Sequence, residues 1–145
     1  DMKNLMKVWL LLLVCILPLG TACQDNKKKE TTKANLSLIE KDLPEIKQLV
    51  NGKWELVSGK NAREFCEYEN TFITFDGDRY VWTEDGKAEP GALNWRKADT
   101  GLGYEAYLMD VFYETNPAFP LSIKGDTLFL QDCSETGYKY TLVRK

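Results

Sequence analysis

The sequence contains no histidine, and this absence removes several classes of function. Histidine is the commonest protein ligand of zinc, the usual general base near neutral pH and the centre of the Ser-His-Asp triad. No serine stands in a G-x-S-x-G motif, and no glycine-rich phosphate loop precedes a predicted helix. We therefore expect no enzyme activity, no catalytic residues, no metal site and no cofactor.

The sequence also lacks an excess of positive charge. It has 19 lysines and arginines against 22 aspartates and glutamates, for a net charge of -3. A nucleic-acid-binding domain usually carries a basic footprint, so we expect no nucleic-acid partner. With 43% hydrophobic residues in 145, the chain is long and apolar enough for one domain with a buried core.

Only one long apolar run is present, at residues 8–19, and it follows Lys3 and Lys7. This run is shorter than the roughly 20 residues of a membrane-spanning helix and is typical of a signal peptide. It leads into Gly20-Thr21-Ala22-Cys23, where the chain resembles a bacterial lipoprotein precursor. The resemblance implies cleavage before Cys23 and lipidation of that cysteine. An ordinary secretory signal cut near Ala22, or an uncleaved anchor, is the alternative.

Residues 24–35 are almost entirely polar and therefore predict a solvated tether. The predicted organisation is a signal peptide at 1–22, a lipidated cysteine with a flexible tether at 23–36, and a folded domain at 37–145. By the resemblance, Gln24 after Cys23 implies a lipid anchor in the outer membrane of the cell envelope, facing the periplasm or the surface.

A short helix is predicted over residues 44–50. Ile39, Leu43, Ile46 and Val50 recur at helical spacing, and Pro44 is tolerated in a first helical turn. Ser37 with Glu40, and Asp42 with Glu45, have the spacing of capping boxes, and Asn51-Gly52 is a plausible stop.

From Gly52 onward the apolar residues alternate with a period of two, which predicts strands. The short spacing between strands favours antiparallel neighbours. We expect an all-β domain whose eight strands form an up-and-down barrel over residues 52–145, with a two-sheet sandwich as the alternative. The predicted strands are 53–58, 70–75, 78–83, 92–97, 104–110, 119–123, 127–131 and 137–144.

In such a barrel the long connections, 59–69, 84–91, 111–118 and 132–136, lie together at one end, the predicted mouth. Closure would place Trp54 of the first strand beside Arg144 of the last, where a guanidinium over an indole is worth roughly 0.5 to 2 kcal/mol. Cys66 and Cys133 both lie in mouth connections, and export makes a disulfide between them the favoured expectation. Two free thiols are the alternative.

At this point the chain resembles lipocalin-like, calycin-type barrels, in particular the small lipocalin-like lipoproteins of Bacteroidetes-type bacteria. The residues that carry the resemblance are Gly52-Lys53-Trp54 after a helix, the hairpin TFITFDGDRYVW, and the closing YKYTLVRK with Arg144. The resemblance implies structural roles for Gly52, Trp54 and Arg144, and a ligand held inside the barrel.

Aromatic residues near the mouth are the candidate ligand-binding residues: Trp82, Tyr107, Tyr138 and Tyr140. The alternative is that they simply fill the interior. The residues predicted to share one face of their strand are Trp54 and Leu56, Tyr80 and Trp82, Phe119, Leu121 and Ile123, Leu128 and Leu130, and Tyr138, Tyr140 and Leu142. The mouth connections carry nine acidic residues against Lys60, Arg63 and Lys87. The acidic residues are Glu64, Glu67, Glu69, Glu84, Asp85, Glu89, Glu114, Asp132 and Glu135.

We therefore expect an anchored protein that binds a small hydrophobic ligand, neutral or cationic, because an acidic mouth repels anions. The alternative function is a protein-interaction or inhibitor module. Its acidic mouth would then dock a basic envelope protein or an attacking lysozyme-like enzyme.

Overall fold

The computed structural model describes residues 35–110, 117–133 and 137–145. The chain divides into two units, 1–34 and 35–145, and the second contains every described residue. The predicted signal peptide and Cys23 lie outside the described residues, as do Glu114, Glu135 and most of the predicted 111–118 connection. Within the described ranges, no helix is long and apolar enough to span a membrane.

Over these described residues the domain is all-β, with antiparallel strand pairing and one short helix, which confirms the predicted all-β class. The helix is α1 (Leu43–Val50), and the strands are β1 (Asn35–Ser37), β2 (Gly52–Lys60), β3 (Phe65–Glu67), β4 (Thr71–Asp76), β5 (Arg79–Glu84), β6 (Lys87–Ala92), β7 (Trp95–Asp99), β8 (Glu105–Met109), β9 (Ala118–Lys124), β10 (Thr127–Asp132) and β11 (Lys139–Arg144).

Helix α1 forms where the apolar spacing predicts it. Pro44 lies in its first turn, and Ile46 and Val50 are buried against the sheet. The N-cap residue Asp42 makes no capping hydrogen bond with its side chain, so the predicted Asp42–Glu45 capping box does not form. Burial of one face, rather than capping, therefore holds this short helix in place.

The strands follow the order β6-β5-β4-β2-β11-β10-β9-β8-β7, with β3 paired to β2 and β1 paired to β9. The predicted pairing of the first and last barrel strands is confirmed, because β2 and β11 are antiparallel neighbours with Arg144 opposite Trp54. The order follows the chain except at this pair, which joins the two halves of the meander.

The predicted closed, eight-stranded barrel is wrong, because the described sheet has 11 strands and is open between β6 and β7. Only Leu93 and Asn94 separate these strands. Leu93 is 0% exposed, and its N–H donates to the Asp78 carbonyl. Asn94 has a φ of 50°, so the chain turns away before β7 begins. The predicted strand 92–97 spans this turn, which explains why closure fails there.

Three local features differ from the prediction. The structure contains strands β1 and β3, which the sequence did not predict because three-residue strands leave no periodic pattern. The predicted long connection at 84–91 is a two-residue turn, because β6 begins at Lys87. Asp85 and Gly86 both have positive φ, 48° and 81°, as a type I′ hairpin turn requires.

One core cluster draws buried residues from α1 and from strands on both halves of the sheet, so the open sheet curls around a shared interior. The predicted inward faces of four strands are confirmed. Their buried members are Trp54, Leu56, Tyr80, Trp82, Leu128, Leu130 and Leu142.

The predicted shared face of Phe119, Leu121 and Ile123 is wrong. The β9–β10 register skips Leu121, since Phe129 pairs with Ser122 and Leu130 with Pro120. This bulge reverses the alternation of sides. Phe119 and Leu121 therefore pack in a second cluster, with Ala106, Leu108 and Cys133, while Ile123 packs against the main core.

The predicted Cys66–Cys133 disulfide is not formed, and both thiols are free. Cys66 lies on β3, whereas Cys133 directly follows β10, and the intervening strands are β2 and β11. Three interstrand steps amount to about 14 Å along the sheet. A disulfide tolerates a Cα separation of no more than about 7 Å.

Candidate functional site

Strand register places seven described carboxylates at one end of the sheet, where β2, β5 and β10 terminate. We call this row of strand ends, which is not an outermost strand, the acidic edge; it comprises Glu64, Glu67, Glu69, Glu84, Asp85, Glu89 and Asp132. Strand pairing aligns Lys139 with Lys60, Thr71 with Glu84, and Asp132 with Ala118 along it. Lys60, Arg63, Lys87 and Lys139 carry positive charge at the same turns and strand ends. The excess of carboxylates creates a negative potential there.

Three tyrosines and one thiol lie among these carboxylates. Tyr138 and Tyr140 stack with ring centroids 5.9 Å apart, and the Tyr138 hydroxyl lies 3.8 Å from Cys66 Sγ. Gly59 lies opposite Tyr140 on β2, and a Cβ atom at this position would be 3.1 Å from the Tyr140 ring. The absence of a side chain at Gly59 therefore lets the Tyr140 ring lie against the sheet.

The surroundings hold these phenols in their neutral form. A hydrogen bond with Glu64 is the main cause that raises the pKa of Tyr138, followed by burial and Cys66. Burial raises the pKa of Tyr140, with a further contribution from Asp132. Burial also raises the pKa of Tyr68, and Cys66 and Glu84 add to the shift. The acidic edge thus combines carboxylates with neutral hydroxyl groups.

A cleft of about 280 Å³ lies at this edge, lined by Trp82, Glu84, Asp85, Lys87 and Glu89. The two-residue turn builds it by pairing Glu84 with Lys87, and Trp82 with Glu89. Trp82 is 4% exposed, and its Nε1 donates to Glu84 Oε1 at 2.7 Å. The three carboxylates give the cleft a negative potential that attracts an organic cation, and a small part of the Trp82 indole lies at its wall.

The structure brings some of the predicted ligand-binding residues together and leaves one apart. Trp82 lines the cleft, and Tyr138 and Tyr140 lie at the same acidic edge. Tyr107 instead lies on β8, where it packs against the main core with Lys97 Nζ 5.7 Å above its ring. Tyr107 has a neighbour of the wrong charge for attracting a cation.

Sequence reasoning missed the cleft itself. The sequence-based prediction treated four of the cleft's lining residues only as charges on a long connection: Glu84, Asp85, Lys87 and Glu89. The signal that would have found the cleft is Asp85-Gly86, a favoured type I′ dipeptide. Placing a two-residue turn there pairs Trp82 with Glu89, and the acidic-aromatic cluster follows from the register.

The residues predicted to be structural lie at the opposite edge. Arg144 lies 4.1 Å above the Trp54 ring, and its Nη1 and Nη2 donate to the carbonyls of Asn51 and Leu49 at 3.1 and 3.0 Å. Trp54 Nε1 donates to the Val50 carbonyl at 2.8 Å. Gly52 has a φ of 121°, and a Cβ there would lie 2.8 Å from Arg144 Nη1.

Two further observations bear on the class of site. In the part of the chain that the structure describes, no three histidine, cysteine, aspartate or glutamate side chains are grouped so that they could hold a metal ion. Comparisons of the chain with protein-family models, with curated proteins and with solved structures find no match.

Proposed function

We propose that this chain is an exported, lipid-anchored, lipocalin-like binding protein of the cell envelope, and that it binds a small organic cation in the Trp82 cleft. The observation that carries the ligand class is the indole of Trp82 set among Glu84, Asp85 and Glu89 in one cleft. The proposal of export and anchoring rests on the apolar run and on Cys23.

The carboxylates, the indole and the size of the cleft each select a different property of the ligand. The bond from Trp82 Nε1 to Glu84 fixes that carboxylate beside the ring. An ammonium group can then sit between the carboxylates, beside the small part of the indole that is exposed in the cleft. The volume of about 280 Å³ lies at the small end of ligand pockets, which favours a small molecule. Anions are repelled by the excess of carboxylates.

The experiment is a titration of the full chain, as isolated from its envelope, with choline and with dimethylbutanol, its uncharged carbon isostere. Isothermal calorimetry measures both affinities at low salt. We expect choline to bind about tenfold more tightly, because cation–π and charge attraction act on it alone. Equal affinities for the two probes would refute a cation site.

A matched pair of variants locates the site. Glu89→Gln removes a cleft carboxylate, whereas Glu67→Gln removes an exposed carboxylate of the acidic edge that does not line the cleft. We expect only Glu89→Gln to weaken choline binding, by about threefold to tenfold. Equal loss in both variants would show that general charge, rather than the cleft, attracts the probe.

A second candidate function, docking of a basic protein, is favoured by Phe65. This side chain is 59% exposed and lies beside the exposed Glu64 and Glu67. Exposed aromatic residues next to charge are typical of protein-binding surfaces. The test is binding of a basic protein at two salt concentrations; Phe65→Ala should weaken it by about tenfold or more if Phe65 anchors the contact.

A further inference from the structure

Strand β3, which lies at the acidic edge, has one side that no described strand pairs with. Among the described strands it pairs only with β2, through Phe65 opposite Lys60, Cys66 opposite Gly59, and Glu67 opposite Ser58. Its neighbour β4 pairs with β2 over a separate stretch, Gly52 to Glu55. The side of β3 away from β2 is therefore available to another strand.

The hydrogen bonds next to β3 show which backbone groups face that side. Asn61 N–H donates to the Glu64 carbonyl at 3.0 Å, and Tyr68 N–H donates to the Val57 carbonyl at 2.9 Å. Because bonded pairs alternate along an antiparallel ladder, Cys66 between them directs its N–H and C=O toward β2. Phe65 and Glu67 consequently direct theirs outward, where no described strand pairs with them, so both donors and both acceptors can bond to a partner.

The free edge of β6 provides a contrast. The two-residue turn makes Glu84 and Lys87 a bonded pair, so the outward groups of β6 belong to Ala88, Pro90 and Ala92. Pro90 has no N–H to offer at the centre of that edge. A proline at an outward-facing position prevents the addition of another strand, because the added strand finds no N–H to accept from there. Strand β3 contains no proline, so its outward backbone groups remain able to pair with another strand.

We propose that β3 is a docking strand, to which an extended segment of a basic partner protein adds by backbone pairing. Phe65 and Glu67 share one face of β3, so the partner would place an apolar side chain against Phe65 and a lysine or arginine near Glu64 and Glu67. A second copy of this chain is a poor occupant, because it would bring its own acidic edge against this one, and like charges repel. This inference rests on the second candidate function and is independent of the Trp82 cleft.

The probe is a short fluorescein-labelled peptide of the repeat valine-threonine-lysine-threonine, which places valine and lysine two residues apart on one face of a strand. It is titrated with the full chain and followed by fluorescence anisotropy. The matched variants are Glu67→Pro and Glu67→Ala. Both remove the charge, but only proline removes the outward N–H, and it leaves the β2–β3 ladder intact. Unfolding in urea verifies that each variant remains folded.

We expect Glu67→Ala to weaken binding by about threefold, as for a surface ion pair. Glu67→Pro should weaken it by at least about tenfold more, because it removes a backbone bond and obstructs the partner strand. Phe65→Ala should produce a loss of similar size to Glu67→Pro.

Three outcomes would overturn the proposal. Equal binding by the proline and alanine variants would show attraction by charge without strand addition. Failure of the peptide to bind the unmodified chain would show that β3 is not a docking strand. Choline should not displace the peptide; if it does, the peptide occupies the Trp82 cleft instead, and β3 is not its site.

Discussion

The two edges of this sheet use polar side chains in opposite ways. At the edge that carries Asn51, Trp54, Gly77 and Arg144, here called the helix edge, polar groups bond to backbone atoms. Trp54 donates to the Val50 carbonyl at the end of α1, and Arg144 donates to the carbonyls of Leu49 in α1 and of the C-cap residue Asn51. Asn51 Oδ1 accepts from Gly77 N–H at 2.9 Å.

At the acidic edge, most of the carboxylates and phenols instead bond to or lie beside other side chains, such as Glu84 with Trp82 and Glu64 with Tyr138. Buried Asp132, whose Oδ1 accepts from Tyr138 N–H, is an exception.

The difference separates stability from recognition. Backbone carbonyls at a helix end need partners, and charged or buried donors that satisfy them stabilise the fold. Carboxylates gathered at one edge repel each other and contribute little to stability. Such a cluster is better suited to contacting a cation than to holding the sheet together.

The largest expected effect is Trp54→Ala at the helix edge. Trp54 is 0% exposed, so the substitution leaves a large cavity and removes the donor to the Val50 carbonyl. We expect a loss of about 3 to 5 kcal/mol in the free energy of unfolding. The urea unfolding midpoint of the full chain measures it. A loss below about 1 kcal/mol would contradict the stabilising role of this edge.

A smaller effect is expected for Gly52→Ala, with Gly77→Ala as its matched control. Both glycines have positive φ, 121° and 60°, but only at Gly52 would a Cβ meet another side chain, at 2.8 Å from Arg144 Nη1. We expect Gly52→Ala to cost about 1 to 3 kcal/mol, and Gly77→Ala about 1. Thermal unfolding of the two variants tests this, and equal losses would exclude a steric role for Arg144.

The smallest effect is expected for Tyr140→Phe at the acidic edge, and it depends on pH. Because the folded chain raises the pKa of Tyr140, the unfolded chain loses this proton first as the pH rises above about 10. The contribution of Tyr140 to stability is therefore complete below pH 10 and falls above it, by at most about 1.4 kcal/mol per pH unit.

Tyr140→Phe should accordingly make the alkaline loss of stability shallower than in the unmodified chain. Urea unfolding at a series of alkaline pH values measures the slope, and phenolate absorbance reports the titration directly. At neutral pH the variant should differ little. An unchanged alkaline slope would show that the folded chain does not hold Tyr140 neutral.

Much of the fold was predictable from local patterns. The period of two located eight of the strands to within a few residues, except that the stretch around Leu93 and Asn94 divides into β6 and β7. The predicted pairing of first and last strands correctly placed Arg144 beside Trp54. The predicted acidic end was also recovered, although its turn at Asp85-Gly86 is much tighter than expected.

Two of the errors share a physical cause, because they depend on how the strands are paired and registered rather than on which residues form them. The bulge at Leu121 moved Phe119 to another face, and an extra strand step kept Cys66 from Cys133. A register slip of one residue exchanges sheet faces, and nothing in a single strand's sequence specifies it.

The sequence by itself determined the all-β class, the helix over Leu43–Val50, the acidic balance and the absence of histidine chemistry. These properties follow from composition and from alternation along the chain, which require no knowledge of distant neighbours. Only the tertiary structure decided that the sheet stays open, that Trp82 meets Glu84 and Glu89 in one cleft, and that β3 keeps a free edge. These properties depend on pairing between segments, and turn geometry and packing set that pairing.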